Sequence, residues 1–156
     1  MTQSNRPDVT FYVDEYRFSV RCSVFLRSAQ GEVLVQKKKA DCGGSWALPG
    51  GRLKVGESLV DGVSREISEE FGVTVREHRF LGVIEQNIIL GEQRMHEHNF
   101  IYSAEYLDVI TLCDDTLDWK WMPFENLDTI KPAGCGKLLD DSSSLISNGF
   151  ITKAVS

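Results

Sequence analysis

Apolar residues recur at three- and four-residue steps through residues 59–71, which is the spacing of one face of an α-helix. Ser58 precedes this segment and is a suitable N-cap residue. Gly72 follows it, where a left-handed C-terminal cap is expected. The pattern therefore predicts a helix of roughly three to four turns, with an apolar stripe made of Leu59, Val60, Val63, Ile67 and Phe71.

Alternation of apolar and other residues predicts strands elsewhere. From residue 18 to 26 apolar side chains alternate with Ser19, Arg21 and Ser23, which predicts a half-buried strand. A turn at 28–31 and the apolar residues 33–35 predict the returning strand. Residues 80–89 and 96–106 predict a hairpin that turns at Gly91-Glu92.

The C-terminal part of the chain predicts a short strand at 119–121 and then a helix start, with Pro123 near its first position. Residues 136–147 predict a C-terminal helix. Residues 1–10 are predicted to be a flexible tail, and residues 11–156 a single domain. Strands mixed with helices predict an α/β fold with a mixed sheet.

Composition limits the classes of function. The chain has 156 residues, of which 42% are hydrophobic, and these values suit one compact soluble domain. The formal net charge of −6 opposes binding to nucleic acid duplexes. No apolar run is long enough for a membrane span, and the polar N-terminus predicts no signal peptide. A cytoplasmic protein with reduced thiols is therefore expected, with no C-x-x-C pair among Cys22, Cys42, Cys113 and Cys135.

The predicted helix carries an unusual density of acidic residues. Glu66 and Glu70 are four residues apart and share a face, and Glu69 falls on the same side. Carboxylates this close repel one another unless a cation lies among them, and oxygen ligands suit Mg²⁺ or Mn²⁺. The alternative is a solvated acidic face with intrahelical ion pairs. The glycine-rich loop before the helix favours the metal site.

This stretch resembles a known family. Gly51, Glu57 and residues 65–73 match the Nudix box at all its defined positions, and the preceding residues 46–51 read W-x-L-P-G-G, the usual lead-in of that family. The resemblance implies a single-domain α/β/α sandwich and a hydrolase dependent on Mg²⁺ or Mn²⁺. It also implies cleavage of a pyrophosphate linkage by an activated water, typically in a nucleoside diphosphate joined to another group.

The resemblance also implies roles for individual residues. Glu66, Glu69 and Glu70 are expected to bind the metal ions, together with the backbone carbonyl of Gly50. Glu57 and Arg65 are expected to hold the loop and the helix together, as part of the catalytic machinery.

A second candidate lies in the predicted hairpin, where Glu97 stands between His96 and His98. The two histidines are expected on one strand face and Glu97 on the other, and no third nitrogen or sulfur ligand is evident, so zinc is disfavoured. Many proteins of the family carry an acid at the equivalent hairpin that contacts metal or positions the water. Glu97 is therefore a candidate catalytic residue, with a surface glutamate as the alternative.

Substrate contacts are expected from the basic loop and the lead-in to the box. The candidates are Lys39, Trp46 and Arg52, although lysines 37–39 also suit a solvated loop. The predicted substrate is a small nucleoside diphosphate derivative, with ADP-ribose or another nucleotide sugar ahead of nucleoside triphosphates. Capped RNA is least expected, because the domain is acidic. The alternative function is a nucleotide-binding module without catalysis, and a homodimer is common in the family.

Overall fold

The protein is described by a computed structural model over residues 5–41, 43–140 and 145–153, with side chains up to residue 139. Cys42 and the serines at 142–144 lie outside the described residues. The elements, in chain order, are β1 Thr10–Val13, β2 Tyr16–Phe25, β3 Val33–Lys38, β4 Gly50–Arg52, α1 Leu59–Phe71, β5 Thr74–Leu90, β6 Gln93–Leu107, β7 Leu117–Met122, the 3₁₀ helices Phe124–Thr129 and Cys135–Asp140, and β8 Leu145–Lys153.

The main sheet is mixed. Its strand order is β1-β2-β6-β5-β8, and β4 pairs with β2. The long hairpin of β5 and β6 is antiparallel, whereas β2 runs parallel to β6 and β8 runs parallel to β5. A separate two-stranded sheet is formed by β3 and β7. The α/β class, the mixed sheet and the predicted hairpin are thus confirmed.

Two apolar clusters fill the core, and β3 contributes to both. Leu34 belongs to the cluster beneath α1, which also contains Cys22, Val24 and the helix residues Val63, Ile67 and Phe71. Val33 and Val35 point to the other cluster, which contains Phe25, Ile84, Ile101, Met122 and Leu138. Because successive side chains of a strand point to opposite faces, β3 connects the two clusters.

The helix α1 begins and ends where the sequence predicts. The Ser58 hydroxyl accepts a hydrogen bond of 3.1 Å from the backbone N–H of Asp61. Gly72 closes the helix in the left-handed region, with φ of +67°, and its N–H donates to the carbonyl of Ser68. A non-glycine residue would be strained there, so the C-terminal boundary depends on this glycine.

Two predictions about individual elements are wrong. Ser19 and Ser23 do not lie on a solvated face: both are buried, because β2 has packed layers on both of its faces. The predicted helix at 136–147 is a short 3₁₀ helix, Cys135–Asp140, followed by the strand Leu145–Lys153. The strand forms because β5 offers it a parallel partner, with Val83 opposite Leu145 and Leu90 opposite Lys153.

The N-terminal segment contacts the loop that precedes α1. The carboxylate of Asp8 lies 2.7 Å from the ammonium of Lys54, and the N–H of Val9 donates to the carbonyl of Leu53 over 2.7 Å. Residues 1–4 of the tail predicted at 1–10 lie outside the described residues, and the domain boundary at residue 10 stays a prediction. Among the described helices, none combines the length and apolar content needed to cross a membrane.

We expect Phe71→Ala to lower the free energy of unfolding by about 3–5 kcal/mol, because it leaves a cavity in a core that collapses only partly. Phe71 is fully buried, and its ring meets the edge of Trp119 at a centroid distance of 6.3 Å. Urea denaturation measures the change. The control is Val60→Ala. The sequence places Val60 in the apolar stripe, but it is exposed, so the expected change is within about 0.5 kcal/mol. Equal losses in the two variants would contradict the packing of α1 described above.

Candidate active site

The strand β4 brings the glycine-rich loop close to the acidic face of α1. Gly50–Arg52 pairs antiparallel with Arg21–Ser23 of β2. Gly50 has a φ of +155°, and a Cβ atom there would lie 2.7 Å from the Cα and hydroxyl oxygen of Ser23. A Cβ atom at Gly51 would collide with the carboxylate of Glu66. The backbone can therefore pass between the sheet and the helix only because both positions lack side chains.

Arg65 joins the loop to the helix. Its Nε donates to Glu57 Oε2 over 2.7 Å, and its Nη2 donates to Glu57 Oε1 over 3.0 Å. The same Nη2 donates to the backbone carbonyl of Arg52 over 3.1 Å. Glu57 Oε1 also accepts from the N–H of Lys54. Burial alone would raise the pKa of Glu57, but these hydrogen bonds outweigh burial and lower it.

The remaining guanidinium nitrogen of Arg65 faces two acids on its own helix. Nη1 donates to Glu66 Oε1 over 3.0 Å and to Glu69 Oε2 over 3.3 Å. The two acids differ in their surroundings, because the Glu66 side chain is 13% exposed and the Glu69 side chain is 52% exposed. Glu69 thus lies on the solvent side of this group and Glu66 on its inner side.

Glu70 completes the acidic group but has a different environment. Its Oε2 atom is buried and has no hydrogen-bond partner among the described residues. Burial, followed by the negative charge of Glu66, raises the pKa of Glu70 to about 8, although a hydrogen bond with Gln36 opposes this. Burial also raises the pKa of Glu66 in spite of Arg65. Two neighbouring carboxylates are therefore desolvated and incompletely neutralised by protein groups.

This donor set fits a hard divalent cation. Carboxylate oxygens are the preferred ligands of Mg²⁺ and Mn²⁺, and a cation beside Glu66 and Glu70 would neutralise both carboxylates and give the orphaned oxygen of Glu70 a partner. Gly50, the predicted carbonyl ligand, lies next to Gly51 in β4, which itself lies against Glu66.

Glu97 has no described hydrogen bond or ion pair with Arg65 and belongs to a row of polar side chains on β2, β5 and β6. It pairs in register with Ser19 and Gln86, and all three side chains are buried. Arg17 Nη2 lies 3.9 Å from Glu97 Oε1. The row continues along the same face with Ser23 and Asn99, whose side chains share a hydrogen bond of 3.0 Å. Strand alternation does not predict this row, because it assigns polar residues to solvent.

The predicted substrate-binding residues have separate surroundings. Trp46 is partly buried, and the ammonium groups of Lys37 and Lys120 lie 4.8 and 4.6 Å from the centre of its ring. The Arg52 guanidinium lies 3.4 Å from the carboxylate of Asp8. Lys39 is exposed, and its backbone N–H donates to the carbonyl of Thr116. Each of the three predicted substrate-binding residues therefore lies in a different local environment.

Cavity size does not identify the acidic group. A surface cavity of about 550 Å³ lies between Arg27, Glu77, Arg79 and Tyr106, and another of about 420 Å³ lies beside Phe124 and Lys137. Neither is lined by the acids that contact Arg65 or by Glu70. The candidate active site is distinguished instead by its buried, incompletely paired charge.

The chain is similar to known proteins in both sequence and fold. A family model of the NUDIX domain matches residues 17–140. A segment of 64 residues is 39% identical to the human 8-oxo-dGDP phosphatase NUDT18 and 36% identical to its counterpart in Danio rerio. Each match covers 41% of this chain and 20% of the relative, so the chain corresponds to only a fifth of those proteins.

Solved structures share the fold at low sequence identity. The MutT NUDIX hydrolase from Burkholderia pseudomallei has a TM-score of 0.64 at 23% identity, over 81% of this chain and 98% of that one. A MutT protein from Bacillus halodurans has a TM-score of 0.63 at 20% identity, over 87% and 90% of the two chains. Because the family model spans most of the sequence and the fold recurs in these structures, the chain belongs to the Nudix family of hydrolases.

Proposed function

We propose that the protein is a metal-dependent hydrolase that cleaves the pyrophosphate linkage of small nucleoside diphosphate derivatives. The observation that carries this proposal is the pair of partly buried carboxylates, Glu66 and Glu70, with one buried and orphaned oxygen on Glu70. Membership of the Nudix family supports the reaction class. A nucleotide-binding module without catalysis is less well supported, since the box acids are all present.

In this proposal the residues of the chain have distinct tasks. Glu66, Glu69 and Glu70 would hold the divalent metal, together with the backbone carbonyl of Gly50. The metal, when bound, neutralises phosphate oxygens and lowers the pKa of bound water. Arg65 and Glu57 keep the loop at a fixed distance from the helix.

Glu97 is proposed to act from the sheet, either on the metal or on the attacking water. Its burial among polar neighbours supports a role that an exposed surface glutamate would not have. Glu97 does not contact Arg65 among the described hydrogen bonds and ion pairs, so its contribution is separable from the holding of the loop.

The substrate is proposed to be a nucleotide sugar such as ADP-ribose, bound with help from Trp46, Arg52 and Lys39. A second candidate is an oxidised nucleoside diphosphate, because the named relatives are 8-oxo-dGDP phosphatases. Both compounds present a diphosphate, whose negative charge a divalent cation held by the carboxylates would neutralise. A negatively charged domain favours such small substrates over RNA, since the metal supplies the positive charge locally.

We expect hydrolysis to require Mg²⁺ or Mn²⁺ and to stop in excess chelator. Glu70→Gln keeps the shape of the side chain but removes a charge, so the turnover rate should fall at least about 100-fold, or about 2.7 kcal/mol of transition-state stabilisation. Steady-state kinetics with saturating Mg²⁺ measures the loss. Glu92→Gln, at the exposed turn of the β5–β6 hairpin, is the matched control and should keep the wild-type rate. Full activity in chelator would refute the metal mechanism.

Glu57→Gln tests whether Arg65 needs its partner in the loop. We expect the free energy of unfolding to fall by about 3 kcal/mol, the lower end for breaking a buried ion pair, because Glu66 and Glu69 still contact Arg65. Urea denaturation without added metal gives the value. The control is Glu105→Gln, which breaks the exposed pair with Arg76 and should cost at most about 1 kcal/mol. Similar losses in both variants would show that the buried pair does not hold the loop.

A panel of compounds with Mg²⁺, read by product identity, decides the substrate. Release of a nucleoside monophosphate and a sugar phosphate from ADP-ribose supports the first candidate. Release of a monophosphate and inorganic phosphate from 8-oxo-dGDP supports the second, and release of pyrophosphate from a triphosphate would move the assignment to triphosphates. Preferential cleavage of capped RNA would overturn the proposed substrate class, whereas no cleavage of any compound would favour the binding module.

A further inference from the structure

Three potential metal ligands meet on the β5–β6 hairpin, outside the Nudix box. The Nε2 atoms of His96 and His98 lie 3.2 and 3.0 Å from the same oxygen, Glu85 Oε2. All three ligand atoms lie within 4.8 Å of one another. The Nudix acids are not among them, so this group, called here the hairpin cluster, is separate from the candidate active site.

The strand register brings the hairpin cluster together. His96 and His98 are two residues apart on β6 and therefore point to one face of the sheet. Glu85 lies directly opposite His98 in the antiparallel pairing with β5. Glu97, between the two histidines, points to the other face and lies among the buried polar residues described above. The convergence of the three side chains thus follows from backbone pairing rather than from a chance meeting of surface rotamers.

Aromatic contacts hold the two imidazole rings in position. Phe18 of β2 meets both rings edge-on, with centroid distances of 5.5 Å to His96 and 5.2 Å to His98. The two imidazoles also meet edge-on at 5.2 Å. Phe11 of β1 packs against Phe18 at 5.1 Å. Side chains held by such packing lose less freedom when they bind a ligand, which favours affinity.

The interatomic distances suit a tetrahedral ion. Zinc bonds of about 2.0–2.1 Å to nitrogen and oxygen place two ligand atoms of a tetrahedron about 3.4 Å apart. The two Glu85–histidine distances are already close to that value. Between 32% and 37% of each side chain is exposed, so an ion can enter from solvent and keep water in its remaining position.

The geometry points to a zinc site formed by Glu85, His96 and His98. Two imidazoles and one carboxylate are a ligand set used for Zn²⁺ with an open position. Imidazole nitrogen also favours zinc and other late transition metals over Mg²⁺, which prefers oxygen ligands and retains its waters. The sequence disfavoured zinc because no third nitrogen or sulfur ligand follows the two histidines; the third donor is instead a carboxylate on the neighbouring strand.

A bound ion would link β5 to β6. It would bind the folded protein in preference to the unfolded chain, because only the folded protein holds the three ligands together. Zinc is therefore expected to stabilise the fold by RT ln(1 + c/Kd), where c is the free Zn²⁺ concentration, so the stabilisation grows with the logarithm of that concentration once the site is filled. Without an ion, the same residues form a hydrogen-bonded group in which Glu85 interacts with both rings. The experiment must distinguish these two states.

The test is a Zn²⁺ titration of the untagged protein followed by NMR of the histidine side chains, in saturating Mg²⁺ at pH 7.5, above the ordinary histidine pKa of about 6.5. The chain has three histidines, and His78 is the internal control, since it lies outside the cluster and is hydrogen-bonded to Ser64. Replacing Cys42 and the exposed Cys113 by serine removes competing thiols. We expect one equivalent of Zn²⁺ to shift the imidazole signals of His96 and His98 and to leave those of His78 unchanged.

Two variants complete the test. His98→Ala and Glu85→Gln should each weaken Zn²⁺ binding at least about 10-fold, since even loss of an outer-shell partner costs about 10–100-fold in metal affinity. The control variant, His78→Ala, should bind Zn²⁺ as tightly as the parent protein does. Retained folding is checked by circular dichroism. The assignment is overturned if Zn²⁺ leaves His96 and His98 unshifted, if Mg²⁺ alone shifts them equally, or if folded Glu85→Gln and His98→Ala both bind zinc as tightly as the parent.

Discussion

A single guanidinium group, that of Arg65, organises the acidic end of the molecule. It binds the buried carboxylate of Glu57 through two nitrogens, reaches the Arg52 carbonyl, and also contacts Glu66 and Glu69. Arginine suits this position because its planar fork can satisfy several oxygens at once without losing its charge. The loop, the helix and two of the acids are thereby fixed relative to one another, and Glu70 is the box acid left without this partner.

This unequal distribution of positive charge shifts the pKa values of the acids in opposite directions. Glu57 is fully neutralised, so the pKa of its carboxyl is lowered despite burial. Glu66 and Glu70 are partly buried with less compensating positive charge, so the pKa of each is raised. A buried oxygen without a hydrogen-bond partner destabilises the fold, so the orphaned oxygen of Glu70 is not explained by a purely structural role. The imbalance is accounted for if a divalent cation belongs to the working protein and supplies the missing charge.

Local sequence signals predicted the helix to the residue and the hairpin approximately. The Ser58 cap, the left-handed Gly72 and the apolar spacing of Val63, Ile67 and Phe71 all act within a few residues, so they can be recognised in the sequence alone. The helix predicted at 136–147 extends into the strand Leu145–Lys153, because the partner that makes this segment a strand, β5, lies more than fifty residues earlier. The buried Ser19 and Ser23 were misassigned for a related reason, since alternation does not reveal that both faces of β2 are covered.

The sequence predicts which residues form the acidic group, but not how they differ in burial and in contacts with positive charge. Spacing places Glu66, Glu69 and Glu70 on one side of α1, yet only tertiary packing leaves Glu69 exposed and makes Glu66 and Glu70 partly buried. Likewise, nothing in the sequence pairs Glu85 with His98, because that contact depends on the register of the hairpin. The positions of charged groups follow from local periodicity, whereas their desolvation follows from long-range contacts.

The most direct test of this account is X-ray diffraction from crystals of the protein soaked in Mn²⁺, with anomalous scattering used to locate the ion. The account predicts a strong anomalous peak within metal–oxygen bonding distance of the carboxylates of both Glu66 and Glu70, and its loss in Glu70→Gln crystals. Mn²⁺ bound only at the hairpin cluster, or carboxylates of Glu66 and Glu70 without any peak beside them, would contradict the claim that a divalent cation completes this site.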